Sequence, residues 1–332
     1  MNMAVRIHNH GDRDQMRWEE AAIAAPGPGW VQLRHSAIGV NFSDVNVRRG
    51  GFYPGHRPTF PMALGNEAAG VVELVGPGVT DFAVGDRVAY AGLLGQFYED
   101  SGAYTQRRNV PAARLVAIPD SVTDQQAAAM LMKGCTASLI INRLGRPQLG
   151  EVVLIHTVAS GVGSILCQWA RHLGATVIGT AGSEAKAQIG RANGCTHVIL
   201  YRETDFVEAV GALAPQGVDL VMDGVGKDTF LRSLTLLRPF GRAVNYGNAS
   251  GNVPPFDIMT LAVKSLTVAR AGVTGHIADT AAFRRVAGEL FGLVAAGAIR
   301  PSIGQTYALR DARNAHRDLE DARYSGSLLL LP

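Results

Sequence analysis

The feature that most constrains this fold is a regular alternation of apolar strands and helices between residues 152 and 246. Short apolar strands separated by helical segments are typical of a parallel sheet, because each crossover between parallel strands needs roughly a dozen residues. The strands are apolar throughout, as in a sheet covered on both faces. This region therefore predicts a doubly wound α/β domain. We predict strands at 152–156, 176–180, 197–200, 219–222 and 242–246, and helices at 164–173, 185–192, 206–213 and 229–237.

The two ends of the chain have a different character. From residue 5 to about residue 119 the sequence consists of short strands broken by Gly and Pro turns, which is typical of a β-rich, barrel-like module. Residues 280–295 predict a long helix, and the strand-like ending 327–331 is predicted to rejoin the first module. Because 332 residues exceed what one core usually serves, we predict two domains. The catalytic domain comprises residues 1–122 and 266–332, and the nucleotide-binding domain comprises residues 123–265.

A glycine turn lies where the first strand of the alternation meets its helix. Residues 159–163 read Ala-Ser-Gly-Val-Gly. Such a turn directs backbone N–H groups and the positive end of a helix at an anion. Gly161 permits close approach of the backbone, and Gly163 permits close packing of helix on strand, whereas Ser160 stands where the fuller motif has glycine. Any tight strand-to-helix turn favours glycine, but the alternation around this one predicts a dinucleotide site.

The end of the second strand indicates which dinucleotide is bound. An NAD site usually has an acidic side chain there, which accepts hydrogen bonds from the ribose hydroxyls. Ser183, Lys186 and Tyr201 instead offer hydroxyls and a cation, which suit a ribose 2′-phosphate. Two alternatives stay open at this point: Lys186 as an ordinary solvated lysine, and Glu184 as an acceptor for a ribose hydroxyl. The pattern favours NADPH.

Composition argues against several other classes of protein. The net charge is only +3 and the arginines are interspersed with acids, which does not describe a nucleic-acid-binding face. The apolar runs are shorter than the roughly 18 residues that cross a bilayer. The three cysteines, Cys135, Cys167 and Cys195, form no CxxC pair, so we expect neither a disulfide nor a thiol nucleophile. We therefore expect a cytoplasmic protein without a membrane or nucleic-acid partner.

Several segments of the chain match one family in number and order. They are residues 39–44 (GVNFSD), 64–70 (LGNEAAG), 85–88 (GDRV), 131–136 (LMKGCT) and 246–251 (YGNASG). Together they resemble the zinc-free NADPH:quinone oxidoreductase (zeta-crystallin-like) branch of the medium-chain dehydrogenase/reductase superfamily. The resemblance implies a GroES-like catalytic domain, a Rossmann domain, and a homodimer formed through residues 265–269. Carried over by position, the family's NADPH contacts fall on Asn41, Lys133, Gly161, Val162, Gly182, Ser183, Lys186, Tyr201, Gly247, Asn248, Arg270 and Arg323.

Zinc-dependent relatives in this superfamily bind their catalytic metal through a cysteine and a histidine. Asn41 and Asn66 occupy those two places here. Zinc prefers thiolate, imidazole or carboxylate ligands, and Glu67 alone does not make a site. We therefore expect metal-free chemistry.

Without a Lewis acid, the hydride acceptor must already be electron-poor. A quinone is the leading candidate. An activated alkene, as in an enoyl or 2-haloacrylate reductase, is the alternative, and Gly224 and Asn46 do not exclude it. A non-enzymatic NADPH- or RNA-binding crystallin-like protein is a third interpretation, which the low net charge disfavours. Asn41 and Tyr53 are the catalytic candidates, and the Tyr53 phenol either orients a carbonyl oxygen or closes a glycine turn.

Overall fold

The computed structural model describes residues 1–50, 58–92 and 101–332. The strands are β1 (Met3–Ile7), β2 (Met16–Glu20), β3 (Trp30–Val40), β4 (Met62–Ala63), β5 (Glu67–Val75), β6 (Arg87–Ala91), β7 (Arg107–Pro111), β8 (Val116–Ala117), β9 (Val152–Ile155), β10 (Thr176–Ala181), β11 (His197–Leu200), β12 (Val218–Asp223), β13 (Leu237–Asn245), β14 (Thr267–Arg270), β15 (Ile303–Ala308) and β16 (Ser327–Leu331). The helices are α1 (Phe42–Arg49), α2 (Asp124–Leu139), α3 (Gly161–His172), α4 (Glu184–Ala192), α5 (Phe206–Leu213), α6 (Phe230–Leu234), α7 (Val273–His276), α8 (Thr280–Ala295) and α9 (Ala312–Glu320). In these ranges no helix has the length and apolar character needed to cross a bilayer.

The chain forms two compact units. Unit 1 comprises Met1–Cys135, Thr274–Ala295 and Pro301–Pro332, and unit 2 comprises Thr136–Val273 and Ala296–Arg300.

Unit 2 is built on the predicted parallel sheet. Its strand order is β11-β10-β9-β12-β13-β14, and every neighbouring pair is parallel. In chain order this is 3-2-1-4-5-6, the Rossmann arrangement, in which ligands bind at the carboxyl ends of the strands where the order reverses. Helices α3, α4 and α5 begin at side-chain caps, because Ser160, Ser183 and Asp205 each accept a hydrogen bond from a backbone N–H of the first turn. The fold class predicted from the alternation is confirmed.

Unit 1 is the β-rich module. One sheet has the order β15-β16-β3-β5-β6-β8 with β7 also paired to β3, and a smaller sheet has the order β2-β1-β4. The last strand pairs antiparallel with β3, where Leu329 lies opposite Gly39, so the end of the chain rejoins this module as predicted. Alternate residues of the strands, such as Leu33, Val88 and Leu330, face a core from which water is excluded.

The two units divide at other positions than the domain boundaries predicted from the sequence, which lay at 122/123 and 265/266. The first part of α2 belongs to unit 1, where the Ala129 carbonyl accepts a hydrogen bond from Ser327 Oγ at 2.6 Å. Strand β14 belongs to unit 2, because Val268 pairs with Ala243 in the parallel sheet. The change from strand to helix periodicity near residue 123 therefore marks a new element within unit 1 and not the start of unit 2.

Candidate active site

The glycine turn of unit 2 lies between β9 and α3. Ser160 has an extended backbone and its Oγ accepts a hydrogen bond from Gly163 N at 3.0 Å, which starts the helix. A β-carbon on Gly163 would lie 2.1 Å from the Thr157 carbonyl oxygen, so only glycine allows the helix to pack this closely. Thr157 itself has a φ of 61°, a left-handed conformation that is rare for a β-branched residue. The turn is built for close approach to the helix N-terminus, where an anion is favoured.

Hydroxyl groups surround this turn. Thr157 Oγ1 lies 3.4 Å from Ser160 Oγ and 3.5 Å from Tyr246 Oη. Tyr246 donates to the His156 carbonyl at 3.3 Å, and burial raises the pKa of its phenol. Thr157 also donates to the His156 carbonyl, at 2.6 Å, so the single hydrogens of Thr157 and Tyr246 are both used within the turn. The turn therefore offers a phosphate its backbone N–H groups and the Ser160 hydroxyl.

The end of β10 carries the groups predicted to select the cofactor. A β-carbon on Gly182 would lie 2.7 Å from Tyr201 Oη, so the half-exposed phenol rests directly on this glycine. Ser183 caps α4 by accepting from Lys186 N at 3.4 Å. The Glu184 carboxylate is bound by Arg191 at 2.6 Å, farther along the same helix. That ion pair holds the Glu184 carboxylate toward Arg191, in the last turn of α4.

The carboxyl ends of β13 and β14 are joined by polar contacts. Asn245 Nδ2 donates to the Gly247 carbonyl at 2.8 Å, and Arg270 donates to the same oxygen at 3.2 Å and to the Asn245 side chain. Asn248 Nδ2 donates to Asn252 Oδ1 at 2.9 Å. Gly247 lies against another glycine, since its β-carbon would be 2.5 Å from the Gly224 oxygen. This loop lies at the ligand-binding edge of the sheet.

A second polar cluster lies in unit 1 around Glu67, which is fully buried. Its Oε1 accepts from Asn41 Nδ2 at 2.7 Å and from Lys133 Nζ at 2.9 Å, and its Oε2 accepts from Met132 N at 2.7 Å. The exposed fractions of Asn41 and Lys133 are 9% and 8%, so these two residues are the less buried members of the cluster. A β-carbon on Gly39 would lie 2.3 Å from Glu67 Oε1, which explains the glycine at that position.

Behind this cluster lies Asp44, also fully buried. Its carboxylate accepts from Asn41 N at 2.9 Å and from Tyr104 Oη at 3.1 Å. Burial raises the pKa of Asp44 to about 7, and the nearby Glu67 charge adds to that shift, while the two hydrogen bonds and the Lys133 ammonium oppose it. Asn41 thus touches both carboxylates, one through its backbone and one through its side chain.

The structure brings the predicted residues together in two groups. Asn41 and Lys133 meet in unit 1, and the residues of the glycine turn, of the end of β10 and of the loop after β13 lie at the carboxyl edge of the sheet in unit 2. Arg323 joins neither group, because its guanidinium forms an ion pair with Asp318 at 3.3 Å in unit 1. Tyr53 lies outside the described residues.

Sequence reasoning did not place Asp44, Glu67, Tyr104 or His316 in the site. The sequence held a signal for Glu67 and Asp44, since both stand in the segments that carry the family resemblance. Tyr104 and His316 carry no local signal, because the residues that they join are far apart in the chain: Tyr104 Oη lies 3.0 Å from His316 Nε2, 212 positions away.

Two family descriptions match the chain: residues 27–120 match the alcohol dehydrogenase GroES-like domain, and residues 161–289 match the zinc-binding dehydrogenase family. A quinone oxidoreductase from Salmonella typhimurium is 41% identical over 336 residues, which cover 99% of this chain and 100% of the relative. The chain belongs to the quinone oxidoreductase branch of the medium-chain dehydrogenase/reductase superfamily. A 2-haloacrylate reductase from a Burkholderia species is also 41% identical, over 100% of this chain and 99% of the relative.

Solved structures of the family agree with this assignment. The Escherichia coli quinone oxidoreductase complexed with NADPH superimposes with a TM-score of 0.92 at 37% identity, covering 99% of this chain and 100% of that one. The fold therefore matches this oxidoreductase family in both units.

One of the two matching families is described as zinc-binding. The residues of this protein that the structure describes do not form a zinc site. Among the described residues, no cluster of three or more His, Cys, Asp or Glu side chains is placed to hold a metal. At the positions of the ligands in zinc-dependent relatives stand the amides Asn41 and Asn66, which are poor zinc ligands. The Glu67 carboxylate is already paired with the Lys133 ammonium at 2.9 Å, and that positive charge would repel a divalent cation.

Proposed function

We propose that this protein is an NADPH-dependent, metal-free oxidoreductase that reduces quinones in the cytoplasm. The proposal is carried by the combination of a Rossmann sheet with its glycine turn and an end-to-end match to quinone oxidoreductases. The structure solved with NADPH among its relatives supports the choice of cofactor. NADPH supplies the hydride, and the protein's residues bind, orient and exclude water.

Three segments of unit 2 bind different parts of the dinucleotide. The turn at Gly161 and Val162 offers the N-terminus of α3 to the pyrophosphate. Ser183, Lys186 and Tyr201 bind the 2′-phosphate. The loop at the end of β13, with Gly247, Asn248 and Arg270 as its contact residues, completes the site at the same sheet edge. Arg323, which pairs with Asp318, remains a candidate cofactor contact that the family resemblance alone supports.

To Asn41 and Lys133, which the family resemblance places among the NADPH contacts, we assign the further role of binding the acceptor's carbonyl oxygen. Both side chains carry N–H groups beyond those used on Glu67, so they can donate to an oxygen that becomes negative as hydride arrives. Tyr53 is proposed from the sequence as a further donor to that oxygen. The acceptor must already be electron-poor, because the cluster offers hydrogen bonds and one ammonium and no Lewis acid.

A substrate comparison separates quinones from the alkene alternative. The 41% identity to a 2-haloacrylate reductase makes alkene reduction a specific second candidate. We expect kcat/KM with NADPH to be higher for 1,4-benzoquinone and 9,10-phenanthrenequinone than for an enone or 2-chloroacrylate. Turnover of the alkenes alone would replace the quinone proposal with the second candidate.

Substitution of Lys186 tests the assignment of the 2′-phosphate site. We expect Lys186→Ala to weaken NADPH binding by roughly 10- to 100-fold, the effect of losing one charge-assisted hydrogen bond, and to leave NADH binding nearly unchanged. Binding of each cofactor is measured through its own fluorescence. NADH is the internal control, since it lacks only the 2′-phosphate. An equal loss for both cofactors would remove Lys186 from phosphate recognition.

The edge of the parallel sheet supports a homodimer. Within the described residues β14 is the terminal strand and pairs only with β13, so its outer backbone groups are available to another chain. The preceding 3₁₀ segment, Ile258–Lys264, exposes Ile258, Met259 and Val263 by 73%, 67% and 88%. Exposed apolar side chains beside the terminal strand of a sheet fit a second copy of the same surface. We propose a dimer formed through β14 and this segment.

A charge at Val263 tests the dimer. We expect the wild-type protein to have twice the chain mass of 35.1 kDa by light scattering, and Val263→Glu to have the mass of one chain. Val84→Glu is the matched control, because Val84 is also exposed, by 66%, but lies in unit 1. A Val263→Glu protein that keeps the dimer mass would exclude this surface.

A further inference from the structure

A chain of buried hydrogen bonds with one fixed direction leads to Asp44. Arg48 Nη1 lies 3.2 Å from His316 Nδ1, and a guanidinium can only donate, so His316 Nδ1 carries no proton. The neutral ring then has its hydrogen on Nε2, which donates to Tyr104 Oη at 3.0 Å. Tyr104 has a single hydrogen, and it is left for Asp44 Oδ2 at 3.1 Å. Burial and the Arg48 charge lower the pKa of His316 to about 3, in agreement with a neutral ring.

At the far end of this series of hydrogen bonds, the protonation of Arg48 is fixed. Arg48 Nη2 donates to Glu320 Oε1 at 2.6 Å, and the side chain of Arg48 is only 1% exposed. Because the guanidinium keeps its protons, no proton leaves Asp44 by this route. This series of hydrogen bonds therefore acts on Asp44 only by donating a hydrogen bond to Oδ2.

The other carboxylate oxygen of Asp44 has an ambiguous partner. Asn66 Nδ2 lies 3.4 Å from Asp44 Oδ1, at the long limit of a hydrogen bond. Asn66 is fully buried, and its Oδ1 has no hydrogen-bond partner among the described residues. A buried amide oxygen without a donor is costly. If the amide is turned by 180°, that oxygen faces Asp44 Oδ1 and can accept a hydrogen bond, provided that Asp44 carries a proton there.

We propose that Asp44 takes up and releases one proton on Oδ1, with Asn66 accepting from the protonated form and donating to the ionised form. Asp44 is a positioning residue, since it holds Asn41 through its backbone N–H and does not itself touch the acceptor, while its proton changes the charge of the cluster. The proton is exchanged with solvent water and no other group changes its charge. In both states Oδ2 accepts from Asn41 and Tyr104, so Asn41 stays in place while the local charge changes.

The consequence for turnover rests on the proposed function. The groups that act on Asp44 are Glu67 from β5, Lys133 from α2 and Tyr104, with the neutral His316 behind Tyr104. Arg48, on the same helix as Asp44, is paired with Glu320, so these two charges cancel. When Asp44 is protonated, the Glu67 and Lys133 charges cancel. When it is ionised, the cluster has one negative charge in excess, which opposes the negative charge that hydride transfer places on the acceptor oxygen. The protonated form is therefore the faster one.

Stability depends on the same proton. The folded protein raises the pKa of Asp44 from its ordinary 3.8 to about 7. The stability contributed by the protonated form is therefore complete below 3.8 and is lost as the pH rises through about 7. Asp44→Asn imitates the protonated form, since its amide also donates to the Asn66 oxygen, and removes this dependence.

Infrared difference spectra of the cofactor-free protein test the proton directly. Between about pH 5.5 and about pH 8.5 we expect the wild type to lose a carboxylic acid C=O band with a midpoint near 7, and Asp44→Asn to lack that band. Tyr104→Phe removes one donor to the ionised form, so we expect its midpoint to move to higher pH. A merely structural role of Tyr104 would lower stability without moving the midpoint, and this variant carries the test if Asp44→Asn does not fold.

Kinetics over the same pH range test the consequence for turnover. We expect kcat/KM for 1,4-benzoquinone to fall above the midpoint in the wild type, by up to about tenfold per pH unit until the slower ionised form predominates, and to be flat in Asp44→Asn. A wild type without the infrared band, an Asp44→Asn protein that keeps it, or parallel kinetic profiles would overturn the proposal. If the protein reduces no quinone, the proposed function fails while the infrared result still decides the protonation of Asp44.

Discussion

Glu67→Gln is expected to destabilise the protein by about 3–5 kcal/mol, because it leaves a buried ammonium without its counter-charge. Lys133 Nζ lies 2.9 Å from Glu67 Oε1, and the two side chains are 10% and 0% exposed. The substitution preserves the size of the side chain, so the loss reports charge and hydrogen bonding and not packing. Urea unfolding followed by circular dichroism measures it.

Two further variants show whether burial of the ion pair is the cause of the stability lost in Glu67→Gln. Glu73 is also in an ion pair, with Arg107 at 2.6 Å, but both side chains are about one-third exposed. Glu73→Gln should therefore cost less than about 1 kcal/mol of stability. The double variant Glu67→Gln with Lys133→Met removes both charges and should be more stable than Glu67→Gln alone. Equal losses for the Glu67 and Glu73 variants would show that the cluster does not have the buried character described above.

Gly163→Ala should destabilise unit 2 by about 3 kcal/mol and weaken NADPH binding by at least about tenfold. The added β-carbon would lie 2.1 Å from the Thr157 carbonyl oxygen and 2.9 Å from Ser160 Oγ, and the first of these atoms is backbone and cannot rotate away. The start of α3 must therefore move from the turn, and the N–H groups that we propose to bind the pyrophosphate move with it. Urea unfolding and NADPH fluorescence measure the two effects.

The matched control is Gly211→Ala, in helix α5 of the same unit. A β-carbon there meets no atom within 4 Å, so the substitution should be neutral or stabilise the protein by about 0.5–1 kcal/mol through helix propensity. Its NADPH affinity should match the wild type. If Gly163→Ala behaves like Gly211→Ala, the glycine is not required by packing at the turn.

The fold of unit 2 could be predicted from the sequence because its signals are local. The strand at 197–200 and the helix at 206–213 have the predicted bounds. The strand is a short apolar run followed by Tyr201 and Arg202, and the helix lies between its cap, Asp205, and Pro215. The helix predicted at 229–237 instead ends at Leu234, and β13 begins at Leu237. Leu237 suits either element by its apolar character, and its pairing with Val218 on another strand decides between them.

The site was only partly predictable from the sequence, because only some of its residues have a local signal. Gly161 and Ser183 stand at strand-to-helix junctions, where the pattern of the chain itself indicates an anion site. The cluster in unit 1 depends on contacts across the fold: Glu67 meets Lys133, 66 positions away, and Arg48 meets His316, 268 positions away. Only the folded β-rich module brings these residues together, so no spacing along the chain indicates them.

The most direct test of the whole account is NADPH oxidation by the purified protein with 1,4-benzoquinone, after dialysis against EDTA and with residual zinc quantified. We expect full turnover without metal and a clear preference for NADPH over NADH. Turnover that appears only when zinc is restored, or no quinone-dependent oxidation of either cofactor, would contradict a metal-free NADPH-dependent quinone reductase.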